Sequence, residues 1–121
     1  GNLKATLLDQ HVLAGIGNIY ADEIMHRAKL RWSRVPSSLS MRTLVRLHES
    51  IVHVLTKAVE AGGSTLDDTQ YVDIDGEQGW FQTEHRVYGR AGQVCLTCKK
   101  ARISRTVVAG RTTCYCAHCQ H

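Results

Sequence analysis

No stretch of this chain is apolar for long enough to cross a bilayer, so a helical membrane span is excluded. Large core-filling rings are scarce as well: one Phe and two Trp among 121 residues, although 43% of residues are hydrophobic. That supply fills one modest core, which bounds the chain to a single domain or a small domain with a separately stapled appendage. Its one proline, Pro36, stands among serines and marks a loop, and there is no internal repeat. Two absences concern charge. From Glu60 to Glu84 there are seven acids and no Lys or Arg; from His85 to the end there are seven Lys or Arg and no acid. The net charge of +4 conceals this partition. A basic tail around Arg86, Arg90, Lys99, Lys100, Arg102, Arg105 and Arg111 is the electrostatic footprint of a phosphate-binding surface, although solvated faces share it.

Cysteine is what the chain does have. Cys95-Leu-Thr-Cys98, seventeen residues, then Cys116-Ala-His-Cys119 form two C-x-x-C knuckles at the spacing of a four-thiolate zinc site. Two disulfides would suit a secreted protein, but there are five cysteines and no secretory leader is seen. A redox pair needs one C-x-x-C beside a βαβ pattern, which is lacking. The expectation is one structural zinc ion with all four positions filled and no place for a catalytic water. Cys114, the fifth cysteine, reads as a small apolar residue beneath the ribbon, or as a substitute ligand. Between the knuckles, Arg102 to Val108 and Arg111 to Tyr115 are strand-like runs separated by Ala109-Gly110, a two-residue hairpin turn that puts Arg111 at the tip.

Ahead of the ribbon the pattern is helical. Apolar residues at 3, 7 and 8 predict a short first helix. After Gly15-Ile16-Gly17, Asn18 reads as the N-cap of an amphipathic segment to Ala28, with Tyr20, Ile24 and Ala28 on one face and Asp22 and Glu23 in the dipole-favoured first turn. Such a glycine-flanked helix start is a ready phosphate site, or equally a tight turn between packed helices. Ser40 caps the longest helix, carrying Leu44, Leu47, Ile51, Leu55 and Ala58, and Gly62-Gly63 ends it. Residues 64–83 read as a long loop.

Read together, Leu3-Lys4, Leu8-Asp9-Gln10, Gly15-Ile16-Gly17-Asn18-Ile19-Tyr20, Gly62-Gly63-Ser64-Thr65-Leu66, Gly79-Trp80-Phe81-Gln82, Val87-Tyr88-Gly89-Arg90 and the cysteine quartet ending Tyr115-Cys116-x-x-Cys119-Gln120 run the length of the chain. In that order they resemble the carboxy-terminal domain of the formamidopyrimidine-DNA glycosylase and endonuclease VIII family. The resemblance implies a mainly α fold with a small β-ribbon: a helix-two-turns-helix domain over 1–92, with a lesion-loop-like segment at 64–83, then a zinc-finger hairpin over 93–121. It implies double-stranded DNA, damaged or abasic, as partner. Asn18 and Arg111 would grip phosphate, Lys4 would lie near the lesion pocket, and Tyr88 would approach the DNA backbone. Lys4 as a solvated helix residue, Tyr88 as a packing aromatic in the linker, and Trp80-Phe81 as a core plug rather than a stacking wedge are the plainer readings.

One departure bears on chemistry. The family's nucleophile is an amino-terminal proline followed by glutamate, whereas this chain starts Gly1-Asn2 and no residue answers to a positioned amine. The expectation is a non-catalytic DNA-binding module, intracellular and cytoplasmic or nucleoid-associated if bacterial. Two alternatives stand beside it: part of a bifunctional glycosylase and abasic-site lyase, and a zinc-scaffolded protein-interaction module using the acidic 60–84 segment.

Overall fold

The computed structural model describes residues 1–11, 16–60 and 85–121. Among these residues three helices precede a two-stranded ribbon, as the periodicities predict. Helix α1 (Leu3–Leu8) is capped by Asn2, whose Oδ1 accepts the Ala5 amide at 2.8 Å. The amides of Leu3 and Lys4, orphans at any helix start, donate to the carbonyls of Arg34 and Trp32 at 2.7 and 3.4 Å. The first helix is therefore pinned to the loop that follows the second.

Helix α2 (Asn18–Arg27) begins one residue away from the expected cap. Gly17 holds the extended N-cap conformation and Asn18 is the first helical residue, so the Asn18 side chain is released for a long-range contact. Nor is α2 amphipathic. Every residue from Asn18 to His26 is buried, because α1 and α3 cover one side and the ribbon covers the other. Asp22 and Glu23 thus lie inside the protein, not on a solvated first turn.

Helix α3 (Met41–Glu60) follows a 3-10 turn at Pro36–Ser38 and starts as predicted, with Ser40 Oγ accepting the Thr43 amide at 3.2 Å. Its inward stripe is Leu47, Ser50, Val54 and Ala58; Leu44 is exposed, and Ile51 and Leu55 flank the stripe. The stripe closes a core containing Leu3, Leu7, Ile19, Tyr20, Ile24 and Met25, where each buried aliphatic side chain contributes about 1.5–3 kcal/mol. The Gly62-Gly63 stop, the 64–83 loop and Trp80-Phe81 lie outside the described residues.

Strands β1 (Ser104–Val108) and β2 (Arg111–Tyr115) pair antiparallel, with Ser104 opposite Tyr115 and Val108 opposite Arg111. Ala109 at φ 52° and Gly110 at φ 75° make the left-handed two-residue turn that suits strand twist. Arg102, expected in β1, instead bridges to Val94. Val87, Ile103 and Cys114 form a second small cluster with Cys95 and Cys116, so Cys114 packs as a hydrophobe. The carboxy-terminal residues stitch this unit to the end of α2: Gln120 Nε2 donates to the Leu30 carbonyl at 2.9 Å while its Oε1 accepts the Cys116 amide at 2.8 Å. Arg31 adds hydrogen bonds to the carbonyls of Ala117 and Gln120.

Candidate metal centre and nucleic-acid interface

The two knuckles bring their thiols together. Sγ atoms of Cys95, Cys98, Cys116 and Cys119 all lie within 4.8 Å of one another, with Cys95–Cys119 and Cys98–Cys116 at 3.8 Å. A tetrahedral ion with metal–sulfur bonds of about 2.3 Å needs sulfur–sulfur edges of about 3.8 Å, so the quartet fits a closed tetrathiolate site. Backbone amides already point at the sulfurs: Lys100 N donates to Cys98 Sγ and Cys119 N to Cys116 Sγ, each at 3.4 Å. Amide donors from Ala101 and Lys100 hold the Cys98 thiol down to about 6, whereas burial pushes Cys116 and Cys119 up. Cys114 is not among the clustered thiols.

At the other end of the ribbon, the sequence-derived residues meet. Lys4 is fully buried, and its Nζ donates to Asp22 Oδ1 at 2.5 Å, Thr113 Oγ1 at 2.8 Å and the Thr112 carbonyl at 3.2 Å. Asn18 Nδ2 donates to the same Thr112 carbonyl at 3.1 Å. Two side chains from α1 and α2 thus converge on the backbone beside Arg111, which stands exposed at the start of β2. Lys4 is accordingly an internal strut rather than a solvated helix residue. Asn18 Oδ1 is buried without a hydrogen-bond partner, and one of the two Nδ2 protons remains unspent on Thr112.

The residues that sequence reasoning misread are Asp22 and Glu23. Asp22 Oδ2 accepts the Cys114 amide at 3.0 Å, so one carboxylate ties α1, α2 and β2 together. Burial outweighs the attraction within the pair: Asp22 is pushed up to about 6 and Lys4 is lowered. Glu23 accepts three successive amides, from Arg86 at 2.8 Å, Val87 at 3.0 Å and Tyr88 at 2.8 Å. Burial still raises its carboxyl. A signal was present in the sequence: two acids sit between Tyr20-Ala21 and Ile24-Met25, an apolar setting for a solvated pair.

Tyr88 is half-buried against the helical core and meets His85 edge to face at 5.4 Å, so the linker-aromatic reading describes its packing. His85 is buried, and burial lowers its imidazole to about 4. A depressed base stabilises the fold above its unfolded pKa of about 6.5, and that contribution is lost as pH falls toward 4. His85→Phe should therefore abolish an acid-side loss of about 2 kcal/mol at pH 5, rising to about 3 at pH 4. Denaturant midpoints of both proteins between pH 7 and 4 check this; parallel curves refute it.

The helices and ribbon, sharing buried polar contacts and a thiol quartet at the knuckles, define a helical domain with an appended metal-ribbon finger. Residues 1–70 match the family model described as the formamidopyrimidine-DNA glycosylase H2TH domain, and the chain belongs to that family of DNA-repair glycosylases. Its fold is therefore a helix-two-turns-helix domain followed by a zinc-finger type ribbon. The chain is 51% identical over 118 residues to the formamidopyrimidine-DNA glycosylase of Thermus thermophilus, covering 98% of this chain and 44% of that protein. The Solibacter usitatus enzyme of the same name is 44% identical over the same shares. The crystal structure of the Thermus thermophilus protein superposes with a TM-score of 0.86 at 50% identity, covering 98% of this chain and 44% of that one. The Lactococcus lactis protein, solved in complex with an abasic site containing DNA, also gives 0.86 at 38% identity, covering 99% and 42%. The chain spans less than half the length of these relatives. Among the described residues no helix is long and apolar enough to cross a membrane.

Proposed function

We propose that these residues form the DNA-binding module of a base-excision glycosylase, clamping the backbone of duplex DNA between the start of α2 and the tip of the ribbon. The observation that carries this reading is the convergence of Lys4 and Asn18 on the Thr112 carbonyl, which fixes Arg111 relative to the α2 amides. A guanidinium on a rigid hairpin and an amide with an unspent proton beside a helix N-terminus are both competent phosphate donors. Lys4 takes part as the strut that aims them, and Tyr88 as a linker aromatic whose backbone amide Glu23 holds. Four thiolates would hold one zinc ion, which supplies a cross-link and, with no open position, no Lewis-acid step.

Binding is the function of these residues; glycosidic cleavage by the relatives would need a nucleophilic amine that the described residues do not position. Abasic or oxidised-base duplexes are the substrates toward which the module is directed, since relatives have been solved on such DNA. A bacterial source would put it at the nucleoid. The test is a fluorescence titration onto intact, abasic and 8-oxoguanine duplexes at two salt concentrations. Arg111→Ala should weaken all three about 10- to 100-fold and flatten the salt slope by about one ion; Asn18→Ala should weaken them less. Unchanged affinity in both variants would remove the assignment. Borohydride trapping of a covalent complex at the abasic site would instead favour the lyase reading.

A further inference from the structure

The knuckle end of the molecule carries a feature that the DNA-facing end does not use. A cavity of about 660 Å³ opens between the last turn of α2, the second half of α3 and the two C-x-x-C loops. Four cations line it: Arg27 and Lys29 from the end of α2, Lys57 from α3, and Arg86 from the segment leading to the ribbon. Its one carboxylate, Glu23, is consumed by the amides of residues 86–88. Among the described residues the only ion pair is Lys4 with Asp22, so none of the four cations is in ion-pair contact with a described carboxylate. Glu60 lines a neighbouring groove together with Arg27 and Lys57.

We propose that this cavity is a second anion-binding site, built to take a phosphate group. Two checks separate it from an ordinary charged surface. First, Cys98 and Cys119 form part of the wall, and a zinc-loaded tetrathiolate carries two negative charges. It offsets two of the four lining charges and Glu23 offsets a third, which leaves an excess of about one positive charge and suits a singly charged phosphate anion. Second, the site is not the far side of the Arg111 surface. Asn18 and Arg27 occupy opposite ends of α2, about 14 Å apart along a helix rising about 1.5 Å per residue, so one phosphate cannot serve both. Arg86 also sits in the segment whose backbone is fixed by Glu23, which gives the cavity a rigid edge for a guanidinium to fork two oxygens. The phosphate belongs either to a small phosphorylated molecule or to a nucleic-acid strand that continues past the primary face.

The experiment is an amide-resolved NMR titration of the zinc-loaded chain with inorganic phosphate, in a phosphate-free buffer. Saturable shifts should appear at Arg86 and Thr97, with a dissociation constant separate from that of any shifts at Asn18 and Arg111. Arg86→Gln combined with Lys57→Gln should weaken binding at the cavity about tenfold or more; both side chains are exposed, and Lys57→Gln alone guards against a disturbed linker. Repeating the titration on chain saturated with a short intact duplex separates the sources. Displacement of phosphate by the duplex identifies a strand backbone as the occupant, and retained binding identifies a small molecule. Absence of saturable shifts at Arg86 and Thr97, or an affinity indifferent to the double variant, overturns the proposal.

Discussion

Stripping zinc from the loaded protein with a chelator will unfold residues 95–119 and lower the melting point of the helices without abolishing them. The ribbon has little else to hold it: its own cluster is Val87, Ile103 and Cys114 plus the ligands themselves. Metal binding in small fingers is worth on the order of 10–16 kcal/mol at neutral pH, far more than that cluster supplies. The helices have a separate core and should keep their far-ultraviolet signal. They are not independent, however, because Lys4 spends two of its three hydrogen bonds on Thr112 and Thr113 and Asp22 loses the Cys114 amide when β2 melts. A partly unpaired buried ion pair remains, and the midpoint falls. Amide dispersion and circular dichroism, read against metal content, check both parts. An unaltered ribbon spectrum in fully demetallated protein would sink the structural role of the ion.

What could be read from the sequence was whatever short-range geometry dictates. The thiol quartet was legible because each knuckle is a four-residue turn, and the hairpin because Ala109-Gly110 carries the positive φ angles that its turn type requires. The Ser40 cap and the long helix followed from local pattern in the same way. Helix α2 was misjudged for the opposite reason. Its apparent polar face is covered by a ribbon whose contacts come from Cys114, 92 residues on, and by the amides of residues 86–88, more than 60 residues on. Nothing within one turn of Asp22 announces those partners. The single-residue error at Asn18 has the same root: a residue that could cap locally is drawn to the Thr112 carbonyl, and Gly17 takes the cap without a side chain.

Asp22→Ala will be the most damaging single substitution in the helical domain. It leaves the Lys4 ammonium buried without its counter-charge and the Cys114 amide without an acceptor. Breaking a buried pair from one side costs about 3–5 kcal/mol, and an orphaned buried amide about 1–3 more. Against a total stability of about 5–15 kcal/mol, this variant should be largely unfolded at 37 °C. Asp22→Asn keeps an oxygen for Cys114 or for Lys4 and should lose roughly half as much. The sign reverses when both partners go. Burial already works against each charge, raising Asp22 to about 6 and lowering Lys4, so the pair is held at a cost. Lys4→Met with Asp22→Leu fills similar volume without charge and should return to within about 2 kcal/mol of the parent. Denaturant midpoints of the parent, Lys4→Met, Asp22→Leu and the double variant give the coupling directly, and additivity would show that the two residues do not act as a pair. The double variant also separates stability from aim. It folds, but the Thr112 carbonyl keeps only Asn18, so Arg111 is held less firmly and affinity for duplex DNA should fall about tenfold. Retained affinity in a folded, zinc-loaded double variant would reduce Lys4 to a core residue and leave Asn18 alone to position the ribbon tip.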